Sequence, residues 1–420
     1  MTTDFSPPRG TEDLLPPAST AMAELYRRAH ELAKTYGYRY VETPAFEATE
    51  LFARSSGQTS DIVSKEMYTF SDRKGRSMTL RPEATAPVVR AYLAHAQELG
   101  SPFKAYYVEQ NWRYGRPQAG RMREFRQFGV EVIGVGSPEA DVEVTIVADR
   151  FLRELGLSHL ELQINSIGDE VCRPAYREDL LAYLEQHREG LRDDHREHFR
   201  QNPMRVLDCK DPACREIAEN APKIIDRLCD ACREHFDAVL SALASEGVKA
   251  TVTPTLVRGL DYYTRTAFEF VSDALPEAAE TICGGGRYDG LAEVLGGPPT
   301  PGVGFGLGLD RALMAVQAEG RTLGEETGVT CFVVGVGEGR MKGYDLLRQL
   351  RAAGVSADAP FEDRPLNAQL RMADRAGARF AAIIGDREAA EGTVTVKRLA
   401  DGKQETVPAT DVAAWISTQA

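Results

Sequence analysis

Hydrophobic positions change their period along the chain, and the changes mark out its elements. Between Ser19 and Tyr36 the apolar residues Met22, Leu25, Ala29, Leu32, Ala33 and Tyr36 recur at helical spacing, with Ser19 placed to cap the helix and Gly37 to end it. Tyr38 to Val41 reads as a short strand stopped before Pro44, and Met67 to Phe70 and Ser77 to Leu80 alternate around the turn Asp72-Arg73-Lys74-Gly75. Two longer strand-like runs, Ala105 to Trp112 and Phe125 to Ile133, flank a polar connection rich in Arg and Gly, the pattern of antiparallel neighbours joined by a mobile loop.

From about Asp169 to Gly247 the pattern turns charged and helical and loses β-branched residues, which reads as an insertion. Strand character returns at Lys249 to Thr255 and Arg265 to Val271, followed by a glycine-rich stretch and a helix starting near Asp310, so the first domain resumes and closes there. Gln317 to Gly328 is a polar linker. Beyond it, Cys331 to Val336, Val355 to Ala357, Phe380 to Ile384 and Thr393 to Val396 read as strands separated by helices, a compact α/β domain.

A chain of 420 residues has room for two or three cores. Its formal charge of −13 excludes indiscriminate nucleic-acid binding, so any nucleic acid must be gripped locally. Residues 329 to 420 carry 12 Lys+Arg and 12 Asp+Glu, leaving 38 against 51 before them, so the last quarter is electrostatically a different body. The opening Met1-Thr2-Thr3-Asp4-Phe5-Ser6-Pro7 shows neither secretory nor transit pattern, and no apolar run is long enough for a bilayer. With seven cysteines, an odd and sparse set, a reducing cytoplasm is expected.

The densest chemical signal is Trp112 to Gln127, which holds five arginines between the two long strands. Arginine offers a planar fork for phosphate, and fixed cations stabilise phosphoryl-transfer transition states. Alone, such a loop reads as a solvated basic hairpin. It is joined by Arg81-Pro82-Glu83-Ala84-Thr85 at a strand-to-helix junction, where Glu83 by itself would be a helix N-terminal acid. Further on come Leu256-Val257-Arg258-Gly259-Leu260-Asp261-Tyr262-Tyr263-Thr264 and Cys283-Gly284-Gly285-Gly286-Arg287-Tyr288-Asp289-Gly290-Leu291, neither a nucleotide-binding glycine fingerprint. Small residues alternate from Gly304 to Gly308, letting a flat ligand or another backbone approach, before Arg311 opens a helix.

Taken together these segments resemble the histidyl-tRNA synthetase family over nearly the whole chain. Ser19 to Pro44, Trp112 to Gln127 and Gly302 to Ala315 are similar to the three class II synthetase motifs, in order, the first being a dimer-interface element. Leu256 to Thr264 and Gly284 to Leu291 resemble stretches characteristic of the histidine enzyme.

The resemblance implies an α+β architecture: a class II catalytic domain over 1–325 built on a six-stranded antiparallel sheet with flanking helices, a helical insertion over 169–247, and an anticodon-binding α/β domain over 329–420. It implies a homodimer using histidine, ATP with Mg²⁺, and tRNA(His), with no prosthetic group and no membrane. It places Glu83 and Thr85 at the amino group of histidine, Glu131, Tyr262 and Tyr263 around its imidazole, and Gln127 beside them. Arg113 and Arg258 carry the chemistry at the α-phosphate and carboxylate. Arg121, Phe125 and Arg311 bind ATP with Arg113, and Arg116 and Gln118 lie toward the tRNA acceptor end.

Relatives commonly carry a glutamate two residues after the second-motif arginine, where this chain has Gly115. Apart from His30 in the first, dimer-interface motif, none of its seven histidines falls within the motifs, which fits chemistry run by cations and positioning. Cys209, Cys214, Cys229 and Cys232 form C-x4-C and C-x2-C pairs. Loose spacing and helical surroundings favour buried thiols over zinc, so no metal ligands are expected among them. Two other readings exist. A histidine-binding regulatory relative typically lacks the last domain and loses key charges, and a prolyl or threonyl enzyme would leave the arginine–tyrosine segment unexplained.

Overall fold

The computed structural model describes residues 5–57, 62–207, 209, 211–260, 262–324 and 328–419, so Asp261 of the arginine–tyrosine segment lies outside the described residues. The chain divides into two compact units, Met1–Gly324 and Glu325–Ala420.

The first unit is organised by an eight-stranded sheet in the order Arg39–Tyr40, Phe103–Trp112, Glu124–Ile133, Gly302–Gly308, Thr281–Arg287, Thr264–Ser272, Leu160–Ser166, Ala250–Val252. The six inner strands pair antiparallel. The short outer strands join them parallel, so the six-stranded antiparallel sheet acquires a parallel strand at each edge. Parallel neighbours need a crossover. At the Ala250–Val252 edge it ends in the helix Asp230–Ser245.

Alternation along the Glu124–Ile133 strand sets up the site. Phe128, Val130 and Val132 enter the core beneath the helices Ala18–Thr35, Pro138–Glu154 and Leu309–Ala318, together with Met22, Leu25, Val147, Phe151, Phe305 and Ala312. Gln127, Gly129 and Glu131 therefore face the opposite side, toward the helix Thr85–Leu99, Tyr107, Tyr262 and Tyr263. The Ala18–Thr35 helix has Pro17 as its N-cap without a side-chain cap, so Ser19 lies within the first turn rather than capping it. Gly37, with φ +76°, does end it, its N–H donating to the Lys34 carbonyl at 3.0 Å.

Between the seventh and eighth strands of the sheet order the chain builds the helices Arg173–Gln186, Asp193–His198, Pro212–Asn220 and Asp230–Ser245, which bury Tyr176, Leu180, Leu184, Ala218 and Cys232. The second unit holds a five-stranded sheet, Ala357–Asp358, Cys331–Gly335, Phe380–Ile384, Thr393–Arg398 and Gln404–Pro408. Its first three strands run parallel and its last two pair antiparallel. The last strand escapes the sequence pattern because only Val407 of its five residues is buried. Among the described residues no helix is long and apolar enough to cross a membrane.

Candidate active site

A cavity of about 780 Å³ opens on the polar face of the large sheet. Glu83, Thr85, Arg113, Arg121, Phe125, Gln127, Arg258, Tyr262, Tyr263 and Arg311 all line it, and no histidine does. Segments separated by more than two hundred positions thus converge because the antiparallel order brings the 124–133 strand beside the glycine-rich strand Gly302–Gly308, which in turn pairs with the other, Thr281–Arg287.

Three arginines define one end. Arg113 donates from Nε to the Pro82 carbonyl at 2.8 Å and lies over the Phe125 ring, 5.2 Å from its centroid. Arg311 donates to the Gly120 carbonyl at 2.7 Å and the Thr281 carbonyl at 2.6 Å. Arg121 is held by Glu66 at 2.5 Å. Burial lowers the pKa of Arg311, and the charges of Arg113 and Arg121 lower it further. Burial likewise lowers that of Arg113. Guanidinium groups gathered so that they repel one another are built for a polyanion.

The other end is a buried polar pocket. Arg258 pairs with Glu269 and lies 5.5 Å from the Tyr263 ring centroid. Its guanidinium occupies the space a side chain at Gly284 would need. Glu83 accepts from the Thr85 amide at 2.7 Å and the Ala86 amide at 3.2 Å, which locks it at the N-terminus of the Thr85–Leu99 helix. Burial raises its pKa against those amides and the Arg113 charge. Gln127 accepts from Asn111 at 2.9 Å.

Glu131 does not line the cavity but lies behind its wall. Its carboxyl accepts from Thr85 Oγ1 at 2.8 Å, Tyr107 OH at 3.4 Å and Tyr288 OH at 2.5 Å. Burial drives its pKa up to about 8, although these hydroxyls pull the other way. The small residue at Gly304 admits this carboxyl group, because a Cβ there would coincide with Glu131 Oε2. A neighbouring side chain thus uses the space that the glycine alternation leaves. Arg116 and Gln118 are exposed and do not line the cavity; Gln118 pairs its backbone with Arg121.

Comparison with known proteins matches this arrangement to a family. Residues 10–312 match the family model described as histidyl-tRNA synthetase, and residues 330–419 match an anticodon binding domain. The chain is 50% identical over 405 residues to the histidine–tRNA ligase of Moorella thermoacetica, covering 96% of each chain. It is 47% identical over 406 residues to that of Rhodococcus erythropolis, covering 96% of this chain and 95% of the relative. Its fold is similar to the crystal structure of apo S. aureus histidyl-tRNA synthetase, with a TM-score of 0.84, 37% identity and coverage of 98% and 99% of the two chains. The chain belongs to the histidyl-tRNA synthetase family.

Within a histidyl-tRNA synthetase, Gly115 is the departure, and the structure shows what stands beside it. A Cβ on Gly115 would be 3.7 Å from Glu66 Oε1. Glu66 ends the short helical turn Ile62–Glu66, lines the cavity, and accepts the Tyr114 N–H at 2.7 Å through its carbonyl. A carboxylate therefore reaches this place from a different segment, which no spacing in the sequence signals. Sequence reasoning also passed over Glu269, Tyr107 and Tyr288. Glu269 is the acid on a strand whose Phe268 and Phe270 face the core, and alternation would have pointed to it. The four-cysteine grouping read from the sequence does not form: Cys209 and Cys214 gather with His195, whereas Cys229 and Cys232 gather with Asp169 and Cys172.

Proposed function

We propose that the cavity joins histidine to ATP and then hands the histidyl group to tRNA(His), with the cationic end holding the triphosphate and the tyrosine-lined end holding the amino acid. The carrying observation is the pairing of three mutually repelling arginines with a buried carboxylate, Glu83, across one cavity.

In the first step a histidine carboxylate oxygen attacks the α-phosphorus, the bond to the β-phosphate side breaks, and pyrophosphate leaves. Arg258 and Arg113 flank the reacting groups as the catalytic pair, stabilising charge that grows on the α-phosphate oxygens. Arg311 and Arg121 hold the outer phosphates, and adenine stacks on Phe125. Glu66 serves beside Gly115 in place of the missing second-motif glutamate. Glu83 and Thr85 receive the α-ammonium, whose charge supplies what burial has taken from Glu83.

Gln127, Tyr262 and Tyr263 enclose the side chain, with Glu131 fixing Thr85, Tyr107 and Tyr288 from behind. A pocket built on such polar pairs discriminates against analogues that leave them unmatched. In the second step a hydroxyl of the terminal adenosine attacks the carbonyl carbon and AMP leaves. Arg116 and Gln118 meet that acceptor end.

Mg²⁺ neutralises the triphosphate when bound. Glu66 and Asp310, two of the carboxylates lining the cavity, are engaged by Arg121 and Arg126, so the ion fits as a passenger on the phosphate oxygens more than as the occupant of a protein cage. Residues 1–325 form the catalytic domain with the 169–247 insertion, and 329–420 the anticodon-binding domain. Two protomers associate, supported by the exposed aromatic residues Tyr40, Phe46 and Phe70. Seven free cysteines support a cytoplasmic location.

ATP–pyrophosphate exchange with each of the twenty amino acids tests the reading. Exchange with histidine alone supports it. Histidine binding without exchange would make the protein a sensor, and exchange driven by another amino acid would overturn the specificity. Removing the residues after 327 should spare exchange and weaken tRNA charging; unchanged charging kinetics would refute the role of the second unit.

A further inference from the structure

The entry of the helical insertion and the start of its last helix meet at one cluster of thiols. Asp169 and Cys172 stand at its entry, Cys172 directly before the helix Arg173–Gln186. Cys229 directly precedes the helix Asp230–Ser245, and Cys232 lies in that helix's first turn. One donor atom from each of these four residues lies within 4.8 Å of every other. Cys172 Sγ is 3.3 Å from Asp169 Oδ1, and Cys229 Sγ is 4.0 Å from the same oxygen. A tetrahedral zinc site, with metal–sulfur bonds of about 2.3 Å and metal–oxygen bonds of about 2.0–2.2 Å, sets its donors roughly 3.5–3.8 Å apart.

We propose that Asp169, Cys172, Cys229 and Cys232 form a structural site for a single Zn²⁺ ion. The donors are pre-oriented for it. Asp169 Oδ1 accepts from the Val171 amide at 3.0 Å and the Cys172 amide at 3.3 Å, and the Cys229 amide donates to Cys172 Sγ at 3.2 Å. Two helix N-termini point at the cluster, and both they and the amide-to-sulfur bond favour thiolate. All three thiols are free, so each can release its proton to solvent as the ion binds. Three soft donors reject Mg²⁺ and Ca²⁺, and four protein ligands leave no open position, so the ion is structural and takes no part in the reaction.

Its position gives it a task. The Ile167 amide donates to the Arg265 carbonyl at 2.7 Å, the Arg265 amide to the Gly168 carbonyl at 2.8 Å, and the Arg173 guanidinium to the Tyr263 carbonyl. The ion fastens the insertion's entry and the start of its last helix to the backbone that presents Tyr262 and Tyr263.

His195, Cys209 and Cys214 make a separate group of three donors, so the test is run where that group is disabled. The full-length Cys209→Ser/Cys214→Ser protein, incubated with Zn²⁺ and freed of excess by gel filtration, should retain about one zinc per chain by mass-spectrometric metal analysis. Adding Cys229→Ser/Cys232→Ser should remove it. Equal zinc content in the two proteins, including none in either, overturns the site. Should the quadruple variant fail to fold, residue-resolved alkylation of the wild type decides. Zn²⁺ should slow the labelling of half-buried Cys229 at least tenfold and a chelator restore it, whereas a rate indifferent to both reagents overturns the proposal.

Discussion

The first unit buries arginines in two ways. Arg287 is fully enclosed and fully satisfied: it binds Asp141 through Nε and Nη2, Asp289 and the Val135 carbonyl through Nη1, and the Ser137 carbonyl through Nη2. Among the described residues, Arg113 and Arg311 donate hydrogen bonds to backbone carbonyls, and Arg311 sits beside two other cations. One arrangement is closed, its guanidinium met by two carboxylates; the other holds charge in waiting for an anion. Both are arginines at strand or helix junctions in the most recognisable segments of the sequence, and only their partners separate structure from chemistry.

The largest expected effect falls on the closed arrangement. Arg287→Met leaves the buried Asp141 carboxylate with only the His235 ring, 3.3 Å away, and losing one member of a buried pair costs about 3–5 kcal/mol. Urea unfolding should show a sharply lowered midpoint. A midpoint equal to wild type would mean that Arg287 belongs with the ligand-binding arginines.

Arg113→Ala should do the reverse. Histidine-dependent exchange should fall by about 10²–10³-fold, the scale for removing one preorganised donor to developing negative charge. The unfolding midpoint should hold or rise, since Arg113 repels Arg311. Arg258→Ala should behave like Arg113→Ala in the exchange assay, and normal adenylate formation there would remove Arg258 from the catalytic pair.

Much of this was legible beforehand. The Phe380–Ile384 and Ser77–Leu80 strands and the two long strands around the arginine loop lie close to where the sequence pattern predicts them, although Phe380–Ile384 and most of Glu124–Ile133 are buried on both faces. Ten predicted site residues line a single cavity. What stayed hidden depends on distant approach. Glu66 reaches Gly115 across the fold, Glu131 withdraws behind Thr85, and the Gln404–Pro408 strand exposes four of its five residues and so carries no period.

Glu66→Ala sharpens the contrast at smaller scale. It frees Arg121 from a half-exposed salt bridge and removes the carboxylate beside Gly115. Exchange should show KM for ATP raised by about tenfold, roughly 1.4 kcal/mol, with KM for histidine little changed. An unchanged KM for ATP would make Glu66 a mere tether for Arg121.

The last effect is a matter of pH. Glu131 has its pKa raised to about 8 by burial, so the folded protein keeps this proton through a range in which the unfolded chain has released it. From the ordinary glutamate value up to about pH 8 the native state therefore binds more protons than the unfolded state, and this group makes stability fall as pH rises. The slope it contributes is at most about 1.4 kcal/mol per pH unit. Glu131→Gln keeps a neutral group of similar shape with no proton to lose, so the variant should lose less stability than wild type between pH 5 and pH 8. Urea midpoints at the two pH values measure the difference. Identical pH slopes would show that Glu131 stays ionised behind the pocket wall, held so by the hydroxyls of Thr85, Tyr107 and Tyr288 against its burial.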